Sequence, residues 1–202
     1  MVDILLWTLL AFFSGSIPFA LILGKLFAKT DIRQVGDGNP GGTNALKAGG
    51  LKVGVPAIAL DIAKGFMPVF FAQQFGLASW GLVPVALAPI LGHAFSPFLH
   101  FHGGKALGAT GGAWIALIGP QALIVYALLA VPFTLFQIEN AWSANAGMLA
   151  LLGYAILADG SPWLVAFAAL NSALIAWTHR RDLIHPMQLR SWVTHLFSGR
   201  GA

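Results

Sequence analysis

The run ILLWTLLAFFSGSIPFALILGKLF, residues 4–27, decides what kind of protein this is. Its 24 residues carry one charge, Lys25. About 20 apolar residues suffice for a helix to cross a bilayer. The run therefore reads as a single membrane helix, with Ser14, Ser16 and Pro18 marking an inward, polar face. It is too long for the core of a cleavable signal and lacks a basic leader, so it reads as a retained helix.

The rest of the chain has the same character. Of 202 residues, 57% are hydrophobic and only 9% charged, with a mean hydropathy of +0.78. Soluble domains carry about 25% charged residues. The sequence therefore describes an all-α, polytopic membrane protein, a single membrane domain across residues 1–202. There is room for about six to eight spans. Seven are read: residues 4–27, 53–75, 80–98, 106–118, 122–138, a sixth ending near 157, and 163–178. The absence of cysteine excludes disulfides and thiol catalysis. The pI of 9.8 reports basic loops rather than a nucleic-acid partner. Membrane lipids are the expected surroundings.

Charge sets the orientation. Lys29, Arg33, Lys47 and Lys52 follow the first span, Lys105 the third, and Arg180, Arg181, Arg190 and Arg200 the seventh. The connections after spans two, four, five and six hold no lysine or arginine. The positive-inside rule then puts the odd-numbered connections and the C-terminus in the cytoplasm and the N-terminus outside.

Working outward, the next stretch is Gly36-Asp37-Gly38-Asn39-Pro40-Gly41-Gly42-Thr43-Asn44-Ala45-Leu46-Lys47-Ala48-Gly49-Gly50. Its glycines and proline argue against a helix core or a plain strand. Glycine amides can line an anion-binding concavity, here with Asn39, Thr43, Asn44 and Lys47 beside them. The alternative is a flexible linker. The second span holds Asp61 and Lys64, spaced to meet on one helix face. They read either as a structural ion pair or as catalytic groups. A second dense stretch runs from Gly92-His93 to Gly103-Gly104-Lys105, where Lys105 presents a charge suited to phosphate. His93, His100 and His102 stand among aromatic residues rather than carboxylates, so no metal is expected. By the charge count the glycine loop, Lys105 and His179 share one face.

These residues resemble a family, the bacterial acyl-phosphate:glycerol-3-phosphate acyltransferases. Its first motif, Gly-Ser-Gly-Asn-x-Gly-x-Thr-Asn-x-x-Arg, is similar to residues 36–47. Leu60-Asp61-Ile62-Ala63-Lys64-Gly65 resembles its Leu-Asp-x-x-Lys-Gly. Gly92-His93, Phe95, Phe98, Phe101 and Gly103-Gly104-Lys105 resemble the second motif, and His179-Arg180 the start of the third. The resemblance covers nearly the whole chain. It implies acyl transfer from acyl phosphate to the 1-hydroxyl of glycerol 3-phosphate in phospholipid synthesis, at the cytoplasmic face of the bacterial inner membrane. Several positions depart from the pattern. Asp37 replaces serine, Lys47 replaces arginine, Asp182 replaces asparagine, His185 and Glu139 each fall near a family arginine, and Ala106-Leu107-Gly108-Ala109-Thr110 follows Lys105 where the family has Gly-Val-Ala-Thr.

Acyl phosphate is an activated anhydride, so the reaction needs no metal, cofactor or thiol. It needs positioning, charge stabilisation and a proton acceptor. Asp37, Lys105 and His179 are the candidate catalytic residues. Gly38, Asn39, Gly41, Thr43, Asn44, Lys47, His93, Gly103, Gly104 and Asp182 are the candidates for binding substrate and phosphate. No histidine has an aspartate five positions later, which argues against a His–Asp base of the kind other glycerolipid acyltransferases use. The substitutions at 37, 47, 139 and 182 leave the small polar acceptor open. A non-catalytic binder of acyl phosphate and a transporter of phosphorylated small molecules remain as alternatives.

Overall fold

The computed structural model describes residues 4–198. Its helices are α1 (Ile4–Ser16), α2 (Phe19–Phe27), α3 (Gly42–Gly49), α4 (Leu51–Gln74), α5 (Leu82–Ala94), α6 (Leu107–Ile118), α7 (Gln121–Phe136), α8 (Asn140–Tyr154), α9 (Pro162–Thr178) and α10 (Ser191–Ser198). Among the described residues the extended pairing is one isolated bridge between Gln137 and Leu189. Four helical stretches are long and apolar enough to cross a membrane: Ile4–Phe27, Leu51–Gln74, Ser79–Leu99 and Asn140–Asp159. Leu107–Ile118, Gln121–Phe136 and Pro162–Thr178 are apolar but shorter. Large apolar side chains cover their outer surfaces, with Leu5, Phe13, Ile124, Leu128 and Leu149 all exposed.

The first span is not continuous. It breaks at Ile17-Pro18 into α1 and α2, where proline supplies no N–H to the helical ladder. Carbonyls at the break find buried donors instead. Lys64 Nζ donates to the Ile17 carbonyl at 2.8 Å, and Ser96 Oγ to the Ser16 carbonyl at 2.6 Å. The break is therefore satisfied from α4 and from the connection after α5.

The expectation that the glycine stretch holds no helix is also corrected. Its second half is α3. Here the glycines sit at the ends, while Ala45, Leu46, Lys47 and Ala48 are good helix formers. Ala45 and Asn44 are buried, and α3 lies on α4. Gly50, with φ of 62°, ends α3 in a conformation that favours glycine.

The main core gathers Ile90, Trp114, Met148, Leu151, Leu164 and Phe167. Within it Trp114 Nε1 donates to Asn171 Oδ1 at 3.0 Å, so the buried indole is satisfied. The pairs α1–α5, α4–α6 and α7–α8 pack most extensively. The α4–α6 approach depends on missing side chains. A Cβ on Gly65 would collide with the Ala109 carbonyl, and one on Gly112 with the Ile62 carbonyl. Gly65→Ala is thus expected to destabilise the fold by about 1–3 kcal/mol through overpacking. Gly111, whose added Cβ meets nothing within 4 Å, is the control. Gly111→Ala is expected to leave stability unchanged or raise it by up to about 1 kcal/mol. Thermal unfolding of both variants in detergent checks this, and equal melting temperatures would refute the packing argument.

The segment after α9 is stitched to the α7–α8 connection. Ile138 N donates to the Gln188 carbonyl at 2.9 Å and Arg190 N to the Phe136 carbonyl at 3.0 Å. Arg190 Nε also donates to the carbonyls of Thr134 and Gln137, at 3.0 and 3.1 Å. A cation thus closes the carbonyl end of α7. This brings the α7–α8 connection, with Glu139, to the end of α9.

Candidate active site

A cavity of about 450 Å³ lies between α3, the start of α6, the α7–α8 connection and the end of α9. Asp37, Asn39, Gly41, Thr43, Asn44, Lys47, His93, Lys105, His179 and Asp182 line it, and so do Asp61 and Glu139. Residues separated by up to 145 positions thereby meet in one space. Gly38, Gly103 and Gly104 line a second cavity instead. The backbone amides of Gly103 and Gly104 donate to the carbonyls of Ala94 and His93, each at 3.0 Å. They close the end of α5 and are not free for a ligand.

At the centre stands Lys105. Its Nζ is 2.6 Å from Asp37 Oδ2 and 2.8 Å from Asp182 Oδ2. Two carboxylates bracket it, so the three groups carry a net charge of −1. Burial alone would lower the Lys105 pKa, but hydrogen bonds to Asp182 and Asp37 and their negative charge hold it above its ordinary value. The lysine stays charged.

Asp37 also organises the loop. It accepts from Asn44 Nδ2 at 2.8 Å and from the Asn39 amide at 3.2 Å. Burial pushes its carboxyl up. The hydrogen bonds from Lys105, the Asn39 amide and Asn44 outweigh that and bring it down to about 2. Such a carboxylate is a weak base near neutral pH. Its contacts tie Lys105 to the loop. That loop leads into α3, whose N-cap is Gly41, with no side-chain capping bond. The first amides of a helix lack intrahelical acceptors and carry partial positive charge. They open onto this cavity, since Gly41, Gly42 and Thr43 line it. Lys47 lines it as well and has no carboxylate partner among the described residues.

His179 caps the end of α9. Its Nδ1 donates to the Ile175 carbonyl at 2.8 Å, which leaves Nε2 as the ring's acceptor. Burial pushes its pKa below the ordinary value, the Ile175 carbonyl opposes this, and the charge of Lys105 adds to it. The ring is neutral at neutral pH. The Thr178 hydroxyl donates to the Lys105 carbonyl at 3.2 Å, tying this helix end to the Lys105 turn.

Deeper in the cavity, Asp61 Oδ1 lies 2.7 Å from Lys64 Nζ and 3.8 Å from His93 Nδ1, and all three side chains are buried. Lys64 spans to the α1–α2 break, as described above. Asp61 and Lys64 thus form an ion pair that joins helices, with Asp61 reaching the cavity wall. A third cavity of about 240 Å³ shares Leu107 and Gly108 with the first and is lined by Ile62, Trp114, Tyr126 and Leu151. It is almost wholly apolar.

Sequence reasoning missed two features of the site: the bracket around Lys105 and the part of Gln137. Gln137 is buried, donating from Nε2 to the Glu139 carbonyl and to Ser143 Oγ, both at 2.8 Å. It shapes the connection that brings Glu139 to the cavity. Nothing in its sequence context distinguishes it from a helix-end glutamine.

Residues 5–188 match the family model described as Glycerol-3-phosphate acyltransferase. A glycerol-3-phosphate acyltransferase of Maridesulfovibrio salexigens is 38% identical over 181 residues, covering 88% of this chain and 90% of the relative. One from Thermus thermophilus is 38% identical over 179 residues, covering 88% of each. The crystal structure of PlsY, an integral membrane glycerol 3-phosphate acyltransferase, in its glycerol 3-phosphate form, superposes with a TM-score of 0.81 at 30% identity. That match covers 98% of this chain and 94% of PlsY. The lysophosphatidic acid form gives 0.80 at 28% identity, with the same coverage. Together the motifs, the fold and these matches establish that the chain belongs to the glycerol-3-phosphate acyltransferase family.

Proposed function

We propose that the chain transfers a fatty acyl group from acyl phosphate to the 1-hydroxyl of glycerol 3-phosphate, giving lysophosphatidate. Family membership makes it a bacterial membrane acyltransferase of phospholipid synthesis. The donor rests on one observation: a polar cavity holding a helix N-terminus, two lysines and His179 adjoins an apolar cavity at Leu107 and Gly108. That arrangement suits a phosphate head joined directly to a fatty chain. In this reading the amides at the start of α3 and Lys47 hold the donor phosphate. The acceptor hydroxyl attacks the acyl carbon, and its proton passes to His179 Nε2. The new ester C–O bond forms, and the bond from the acyl carbon to the phosphate oxygen breaks. Inorganic phosphate leaves, its charge offset by Lys105, whose Nζ also takes the phosphate of the incoming acceptor.

The test uses purified protein, palmitoyl phosphate and glycerol 3-phosphate, with lysophosphatidate read by mass spectrometry. Product from palmitoyl phosphate supports the reading. Product only from a thioester donor overturns it. The two carboxylates on Lys105 favour one other reading, a binder of acyl phosphate without turnover. It is supported if palmitoyl phosphate binds and no product appears with any acceptor.

We also infer seven spans with the N-terminus outside and the site at the cytoplasmic boundary of the inner membrane. The one-sided distribution of lysine and arginine supports this. In this cysteine-free chain, single cysteines placed at Lys52 and His102 are expected to be labelled only from the cytoplasm, and one at Ser79 only from outside. Labelling of His102 and Ser79 positions from the same side would sink the seven-span arrangement.

A further inference from the structure

The second cavity, of about 440 Å³, lies on the other side of the Lys105 bracket, since Asp37, Lys105 and Asp182 form a wall common to both cavities. Beyond that wall the two differ in charge. The first cavity adds Lys47, Asp61 and Glu139. The second adds three cations and no further acid: Arg33, Arg180 and Arg181. Asp31 pairs with Arg33 at 2.6 Å, so that charge is partly spent. The Arg180 guanidinium lies 4.3 Å over the Trp177 ring and donates to the Trp177 carbonyl. This holds the cation in place without neutralising it. Arg181 is exposed and has no side-chain partner among the described residues.

The rim is apolar. Phe101 and Trp177 line this cavity and are 64% and 55% exposed. Phe101 follows His100, and both hold left-handed backbone, with φ of 61° and 52°. Each such residue costs about 1–2 kcal/mol, so the loop displays its aromatic ring against a local penalty. Trp177 and the two arginines sit at the end of an apolar helix, where tryptophan and arginine mark the membrane boundary. A soluble phosphate has no use for the aromatic rim. A lipid headgroup uses both parts, its phosphate taking the arginines and its upper acyl chains the rings.

We propose that this second cavity is a binding site for the headgroup of an anionic phospholipid. The phosphate sits against Arg180 and Arg181, with Phe101 and Trp177 flanking the glycerol and chain starts. Lipid retention is read without acyl transfer, so the test does not depend on activity. The full chain is reconstituted into phosphatidylcholine nanodiscs containing some phosphatidylglycerol, and lipids retained on the protein are counted by native mass spectrometry. Wild type is expected to retain phosphatidylglycerol in preference to phosphatidylcholine. Arg180→Gln with Arg181→Gln is expected to reduce that preference about thirtyfold, as removal of two cations near an anionic surface implies. Arg181→Gln alone gives the smaller loss and guards against misfolding, since its side chain has no internal contact to lose. Equal preference in wild type and both variants overturns the proposal. So does loss of the wild-type preference when inorganic phosphate is added, which would mean that the cavity takes free phosphate.

Discussion

Lys105→Ala is expected to lower kcat/KM for acyl transfer by about 10²–10³-fold, the usual loss when one donor to a developing anion is removed. The protein should still fold. Lys105 and its two partners are partly exposed, with side-chain exposures of 28%, 46% and 29% for Lys105, Asp37 and Asp182. Pairs of this kind contribute about 0–1 kcal/mol. Lys64→Ala should behave in the opposite way. Its Nζ is buried between Asp61 and the Ile17 carbonyl, and removing one partner of a buried pair costs about 3–5 kcal/mol. Melting temperature and steady-state kinetics on the two variants separate these roles. Near-normal turnover by Lys105→Ala would remove that residue from the chemistry. A large drop in its melting temperature would mark the bracket as structural.

The same bracket has a pH signature of known sign. The Asp37 carboxyl is held below its ordinary value of 3.8, at about 2. The stability it lends is complete above 3.8 and is lost as pH falls through about 2. Loss of activity between neutral pH and 5 therefore cannot come from Asp37. His179, whose ordinary value is 6.5, is pushed lower by burial. Its protonation is the titration that falls in that interval or below it.

Much of the architecture was legible because apolar length is a one-dimensional property. The apolar segments read from the sequence correspond to helices in the structure, with ends displaced by a few residues. The break at Ile17-Pro18 was not legible in the same way. Proline alone does not break a membrane helix, as Pro56, Pro68, Pro89 and Pro132 stand inside intact ones. The break at Pro18 holds because Lys64 and Ser96 donate to the carbonyls left at it, and both are distant in sequence. For the same reason the motifs named the residues around the cavity but not their pairings. That Asp37 and Asp182 would close on one lysine depends on packing three elements together: the loop before α3, the turn before α6 and the end of α9. Gly103 and Gly104 show the limit most clearly. Their composition fits a phosphate cradle, yet their amides are consumed in closing α5.

The double variant Asp37→Ser with Asp182→Asn is expected to lower KM for glycerol 3-phosphate about tenfold, with a smaller change in kcat. In the wild-type protein an incoming phosphate must compete with two carboxylates for Lys105, at 2.6 and 2.8 Å. At about 4 Å and an effective dielectric near 20, unit charges interact by roughly 4 kcal/mol. Even a third of that, about 1.4 kcal/mol, is a factor of ten in affinity. Serine at 37 can still accept one of the loop's hydrogen bonds, so Asn39 and Asn44 keep part of their anchorage. Asparagine at 182 keeps an oxygen for Lys105 without the charge. Asp182→Asn alone should give a smaller fall, because Asp37 still holds the lysine. Rising salt should narrow the gap between wild type and the double variant, since it screens the carboxylates. An unchanged KM, with the lysine freed, would mean that the acceptor's phosphate does not bind at Lys105. A rise in KM would mean that the carboxylates themselves contact the acceptor, through its hydroxyl groups.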